Sequence, residues 1–258
     1  MFDTHNHCDF SCDAEMTLPE AVATAEKLGL GFILTEHWDY DYPTNPEMFL
    51  FDRDAYFAKN EPLRRENVLL GIEIGLQPHL AQKDDAVAEG YPFDFVIGSL
   101  HMMNKRDLYE PASYAGLSKE ETMHYYLRDS ILVLENHTNF DSLGHIDYIC
   151  RYWPYADKEF HMEENQSEWD RLFSLLIEKN KPIEINTRRL DDPRSVRALL
   201  PLYKRYQALG GRYCTLGSDA HYTEHIGRRL GVAVSMAKEA GVSPVYFKGR
   251  KMLTDVIK

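Results

Sequence analysis

Cysteine is scarce. The chain of 258 residues has four, Cys8, Cys12, Cys150 and Cys214. That is too few to staple so long a chain with a disulfide framework, so a reducing compartment, the cytoplasm, is expected. Long apolar runs are missing. None approaches the roughly 20 residues of a membrane span, and the opening Met1-Phe2-Asp3-Thr4-His5 has no secretory-leader character. Positive charge is in short supply: 29 Lys and Arg stand against 41 Asp and Glu, a formal charge of −12. A nucleic-acid partner needs a basic footprint, so none is expected. An anionic small molecule remains compatible if metal ions supply the positive charge. Repeats, low-complexity tracts and Gly/Ser linkers are absent, so residues 1–258 read as one domain. Apolar residues make up 44% and charged residues 27%, which excludes disorder.

Apolar runs and helical patterns alternate along the whole length, the signature of βαβ units and an α/β fold. Seven segments read as buried strands: Met1–His5, Gly31–Thr35, Val68–Ile74, Phe93–Ser99, Phe140–Gly144, Pro182–Asn186 and Tyr213–Gly217. Thr17-Leu-Pro-Glu20 is a capping box that opens a helix through Lys27, and Ser118-Lys-Glu-Glu121 opens one to about Glu135. Further helices are predicted from Ser167 to Glu178, from Asp192-Pro193 to Ala208, and from about Arg228 to Ala240. Two long polar segments, 38–53 and 102–117, follow strand ends, where loops of an α/β barrel act as lids and substrate walls. The segment after Ala240 fits either a last helix or a cover for the bottom of the fold.

Metal-ligand residue types recur at the strand ends. In order they are His5 and His7, Glu36 and His37, Glu73, His101, His145 and Asp147, Glu184 and Asn186, then Asp219 and His221. In a parallel barrel all carboxyl ends share one face, so these residues converge. His5 and His7 point to the same side of an extended chain, as do Asp219 and His221. Histidines mixed with carboxylates suit Zn²⁺, Fe²⁺ or Mn²⁺. His79, His124, His137, His161 and His225 fall off the strand ends and read as surface or supporting groups. Cys8 alternates with His7 and reads as buried filler.

These motifs carry a family resemblance. Thr4-His5-Asn6-His7, Thr35-Glu36-His37, Gly71-Ile72-Glu73, Gly98-Ser99-Leu100-His101, Gly144-His145-Ile146-Asp147 and Gly217-Ser218-Asp219-Ala220-His221 resemble the polymerase-and-histidinol-phosphatase (PHP) family of metal-dependent phosphoesterases. Within it the chain looks most like the monofunctional histidinol-phosphate phosphatases. The resemblance implies a distorted (β/α)7 TIM-like barrel with its active site at the carboxyl ends of the strands. It implies three divalent ions, of Zn, Mn or Fe. The first would take His5, His7, Glu73 and Asp219. The second would share Glu73 and add His101 and His145. The third would take His37, His221 and a residue after the first strand. Many relatives have a histidine there; this sequence offers Asp13, a hard ligand expected to shift preference toward Mn²⁺ or Fe²⁺.

The implied chemistry is hydrolysis of a phosphomonoester, L-histidinol phosphate, by a metal-bridging hydroxide. Asp219 and His221 are candidates for proton handling. Arg151, Arg188 and Arg189 follow strands five and six and suit phosphate, with Arg151 and Arg189 favoured. Trp38, Asp39, Tyr40, Asp41 and Tyr42 are candidates to receive the substrate amine and imidazole. Other readings are a family phosphoesterase acting on another small phosphomonoester, a nucleotide or phosphotyrosine, a metal amidohydrolase, and a non-catalytic metal-binding barrel.

Overall fold

The computed structural model describes residues 1–256. Strands and helices alternate through β1 (Phe2–Asp3), α1 (Leu18–Lys27), β2 (Gly31–Asp39), α2 (Arg53–Asn60), β3 (Val68–Gly75), α3 (Ala81–Asp85) and β4 (Phe95–Ser99). The short strands β5 (Met102–Met103) and β6 (Arg106–Asp107) follow. The chain continues through α4 (Lys119–Asn136), β7 (Ser142–Leu143), α5 (Gln166–Glu178), β8 (Ile183–Asn186), α6 (Pro193–Ala208), β9 (Tyr213–Gly217), α7 (Leu230–Ala240), β10 (Ser243–Lys248) and β11 (Lys251–Thr254).

One large sheet has the order β1-β2-β3-β4-β7-β8-β9-β10-β11. Every pairing in it is parallel except β10 with β11. The fold is therefore mixed α/β with a mostly parallel sheet. Residues beyond β1 also bond to residues at and beyond the end of β9. Thr4 N donates to Leu216 O at 2.9 Å, Asp219 N to His5 O at 2.8 Å and His7 N to Ala220 O at 2.8 Å.

All seven expected strands are present, with shifted ends. β2 runs on to Asp39 because His37, Trp38 and Asp39 pair with Glu73, Ile74 and Gly75. β1 and β7 are shorter than expected. Leu143 is the single β7 residue that pairs with β8, and a Cβ on Gly144 would stand 2.2 Å from Ser99 Oγ. The helix caps follow the sequence. Thr17 N donates to Glu20 Oε2 at 2.9 Å, and Ser118 N to Glu121 Oε2 at 2.8 Å. α7 starts at Leu230 because Arg229 is left-handed, with φ 59°.

The segment after Ala240 forms no helix. It is a hairpin whose turn residues Gly249 and Arg250 have φ of 55° and 63°, the backbone that a two-residue turn between twisted strands requires. The same device, Asn104-Lys105 at φ 51° and 60°, joins β5 to β6 inside the 102–117 segment.

Side chains alternate along the strands. Phe32, Leu34, Leu70, Ile72 and Val96 join the main core with the helices, whereas Ile33, Leu69, Phe95 and Ile97 form a second, inner cluster. The hairpin covers that cluster with Val245 and Phe247, and Phe247 stacks on Phe95 at 5.2 Å. Toward the carboxyl ends the inward positions turn polar: Ile33 gives way to Thr35 and His37, Leu69 to Gly71 and Glu73, Ile97 to Ser99 and His101. Among the described residues no helix is long and apolar enough to cross a membrane.

Candidate metal centre

The strand ends converge on Glu73, which is fully buried. Its Oε1 lies 3.2 Å from His5 Nε2, 3.3 Å from His101 Nε2 and 3.0 Å from His145 Nε2. Its Oε2 lies 3.5 Å from His7 Nε2 and 2.8 Å from His37 Nδ1. Asp219 Oδ1 lies 3.4 Å from His7 Nε2 and 3.8 Å from His5 Nε2. On the outer side, His37 Nε2 and His221 Nε2 are 3.4 Å apart, and Asp13 Oδ2 stands 3.6 Å and 3.4 Å from them. All nine expected donors thus fall into one contiguous cluster. No cysteine takes part in the donor groups among the described residues. His79, His124, His137, His161 and His225 stay outside them, as expected.

Four imidazoles share one arrangement. His5 Nδ1 donates to Glu184 Oε1 at 2.7 Å, His101 Nδ1 to Asp39 Oδ1 at 2.8 Å and His221 Nδ1 to Asp219 O at 3.0 Å. His7 Nδ1 lies 3.3 Å from Ser11 Oγ. This network assigns the tautomers and turns each Nε2 lone pair inward. The Nε2 atoms of His5, His7 and His101 and Oε2 of Glu73 are buried without a hydrogen-bond partner. Buried polar atoms are ordinarily satisfied, and inward lone pairs beside a carboxylate suit a shared cation.

The field of the cluster favours cations. Burial opposes a charge on His5, but Glu184, Glu73 and Asp219 outweigh it and raise its pKa well above the usual value. Burial opposes ionisation of Glu73 and of Asp219. His5, His101 and His37 overcome it at Glu73, and Arg151 and His5 at Asp219, so both stay well below the usual carboxylate range. His37 is likewise carried against burial up to about 9 by Asp13 and Glu73.

Several supporting residues were not assigned by sequence reasoning. Glu184 accepts from His5 and also from His145 N at 2.6 Å. Ser99 Oγ donates to Glu73 Oε1 at 2.6 Å. Ser11 joins His7 to Glu36, donating to Glu36 Oε2 at 2.5 Å. Asn186 accepts from Arg151 Nη2 and Arg188 N and donates to Glu184 Oε2. The legible signal was position: Glu184 and Asn186 are alternate residues of one strand, so they share its inner face.

The arginines divide. Arg151 is mostly buried, with Nη1 2.7 Å from Asp219 Oδ2. Arg188 Nη1 donates to Asp219 O at 2.9 Å. Arg189 turns to Asp147 at 3.2 Å and Glu159 at 2.8 Å, so the geometry favours Arg188 over Arg189 beside the cluster. A cleft of about 290 Å³ opens over His37 and His101, with Tyr42, Phe49, Tyr148 and Tyr152 in its lining. The 38–53 segment contributes Asp39, Tyr42, Met48 and Phe49 to its lining. Trp38 is in the core, Asp39 serves His101, Tyr40 packs under Lys83, and Asp41 faces His79 and Lys83. Tyr42 does line the cleft.

Carboxylates and imidazoles gathered at the carboxyl ends of parallel strands define a metal-dependent enzyme of the α/β class. The family model described as PHP domain matches residues 3–188. The chain is 41% identical to a probable histidinol-phosphatase of Clostridium acetobutylicum, covering 98% of both chains. It is 32% identical to a histidinol-phosphatase of Lactococcus lactis subsp. lactis (97% and 95% covered). The crystal structure of histidinol phosphate phosphatase from that organism, complexed with zinc, L-histidinol and phosphate, superimposes with a TM-score of 0.92 at 31% identity over 98% of both chains. The chain belongs to the PHP family.

Proposed function

We propose that this protein is a histidinol-phosphatase, a metal-dependent phosphomonoesterase that converts L-histidinol phosphate and water to L-histidinol and phosphate. The observation that carries this reading is the gathering of nine donor residues, with Glu73 and Asp219 at the centre, in a chain that aligns along its length with histidinol-phosphatases. The bonds between residues 4–7 and 216–220 support a distorted (β/α)7 barrel closed at that seam.

The donors fit divalent cations. Around a tetrahedral ion with bonds of about 2.0–2.2 Å, ligand atoms stand about 3.3–3.6 Å apart. Between the donors grouped on one ion the separations run from 3.0 to 3.8 Å. We assign His5, His7, Glu73 and Asp219 to one ion, Glu73, His101 and His145 to a second, and Asp13, His37 and His221 to a third. Asp39 also lies near His37 and His101, but its Oδ1 is taken by the His101 ring and it serves as an orienting group. Bound divalent ions supply Lewis-acid stabilisation of phosphoryl oxygens and activation of water at neutral pH.

The chain's own residues do the rest. Arg151 and Arg188 present guanidinium donors next to Asp219, where phosphate oxygens meet the cluster. Arg151 keeps Asp219 ionised and so able to bind cations. His221 is fixed by its bond to Asp219 O and has Nε2 alone left for chemistry. The aromatic cleft receives the alcohol.

The test is phosphate release from L-histidinol phosphate beside a panel of phosphomonoesters. A chelated sample, and samples restored with Mn²⁺, Fe²⁺ or Zn²⁺, complete it. We expect selective turnover that chelation abolishes and a metal restores. Unselective metal-dependent release would move the substrate to another ester. No release with any metal would overturn the assignment.

A further inference from the structure

We propose that Asp107 determines substrate choice by receiving the cationic part of the leaving alcohol. The inference rests on the phosphomonoesterase reading and names the group that would distinguish this alcohol from neutral ones.

Buried carboxylates in this fold are mostly matched by a cation: Asp84 by His137, Asp94 by Arg64, Asp141 by Arg250, Asp147 by Arg189. Asp3 and Glu36 have no such partner. Burial pushes them up to about 6 and about 7, and three protein donors satisfy each. Asp107 is different. Its residue is 5% exposed and lines the cleft over His37 and His101. Its Oδ2 accepts from the Tyr42 hydroxyl at 2.6 Å and its Oδ1 from Tyr109 N at 2.9 Å. Among the described residues no Lys, Arg or His nitrogen pairs with it. A carboxylate that faces a cleft without a cationic partner is an acceptor open to a cationic ligand.

The surroundings agree. Tyr109, Tyr148 and Tyr152 line the same cleft, and aromatic faces attract cations. The arginines near the cluster lie on the other side. A neighbouring cleft of about 500 Å³ shares Tyr152 with the first and is lined by five cations, Arg151, Lys158, Arg188, Arg189 and Arg194, against three carboxylates, Glu159, Asp191 and Asp192. The approach to the cluster is thus basic on one side and acidic and aromatic on the other. An ester between phosphate and a cationic alcohol matches this polarity in one orientation, phosphate toward Arg151 and alcohol toward Asp107.

The experiment compares kcat/KM for L-histidinol phosphate with that for propyl phosphate, whose alcohol is neutral, in the metal-loaded wild type, Asp107→Asn and Tyr42→Phe. Melting temperature and metal content are recorded for each. The asparagine keeps an acceptor for Tyr109 N and loses the charge. We expect Asp107→Asn to reduce the preference for L-histidinol phosphate roughly 10- to 100-fold, the scale of a charge-assisted bond. Tyr42→Phe, which leaves the carboxylate, should keep most of the preference. An unchanged preference in Asp107→Asn, or equal losses on both esters, would overturn the proposal while leaving the phosphatase reading intact. A wild type without preference would overturn the substrate assignment itself.

Discussion

Glu184 Oε1 accepts the His5 Nδ1 hydrogen at 2.7 Å directly beside Gly217. A Cβ on residue 217 would stand 2.3 Å from that oxygen and 2.4 Å from His5 Cβ. The absence of a side chain on β9 is therefore what lets β8 reach across to β1. Glu184→Gln keeps the shape but removes the charge that fixes the His5 tautomer. We expect metal affinity to fall about 10- to 100-fold, read by titration of the chelated protein, with KM at saturating metal little changed. Wild-type affinity in the variant would make Glu184 a packing residue.

Arg151 holds Asp219 with one nitrogen and Asn186 with another. A lysine has a single ammonium and cannot reproduce the fork. Arg151→Lys should raise KM for phosphate esters about tenfold at unchanged metal content. Steady-state kinetics beside elemental analysis separates this from metal loss. Unaltered kinetics would shift the phosphate contact to Arg188.

Phe247 seals the end of the inner core opposite the metal cluster. Its ring is 4% exposed and stacks on Phe95. Phe247→Ala should cost about 3 kcal/mol of stability, visible as a lower urea midpoint, while turnover at low temperature stays at the wild-type level. A midpoint equal to wild type would show that the hairpin seals nothing.

Asp141 provides a pH test away from the centre. Burial raises its pKa, and Arg250 only partly offsets that. The folded state therefore holds the Asp141 proton more tightly than the unfolded chain does. This contribution to stability is full below the unfolded pKa, near 3.8, and is lost as pH rises through the folded value. Asp141→Asn has no such proton. Urea unfolding between about pH 3.5 and 6 should show the variant gaining on the wild type as pH rises. A constant difference would contradict the shift.

Much of this architecture was legible because it repeats. Each strand is a short apolar run, and each ends in a ligand type, so His5, Glu73, His101 and Asp219 could be placed on one face before any distance was known. What escaped depended on neighbours across the sheet. Asp39 reads as the start of an acidic loop until β2 is seen to pair with β3 through Gly75, which puts its carboxylate on His101. Arg188 and Arg189 are adjacent in sequence, and favouring Arg189 there is wrong because Asp147 and Glu159 capture it, leaving Arg188 beside Asp219. The C-terminal hairpin was hidden because Gly249-Arg250 is an unusual pair for its turn.

The seam between β1 and β9 sets a time order as well as a shape. Thr4 and Leu216 are 212 residues apart yet share two hydrogen bonds, and His5, His7, Asp219 and His221 meet across the same line. Contacts so distant in sequence form late. During synthesis the opening histidines emerge first and must wait for nearly the entire chain before Asp219 arrives. A chain that stops short of β9 has no seam, so the centre can assemble only after Asp219 and His221 have been made.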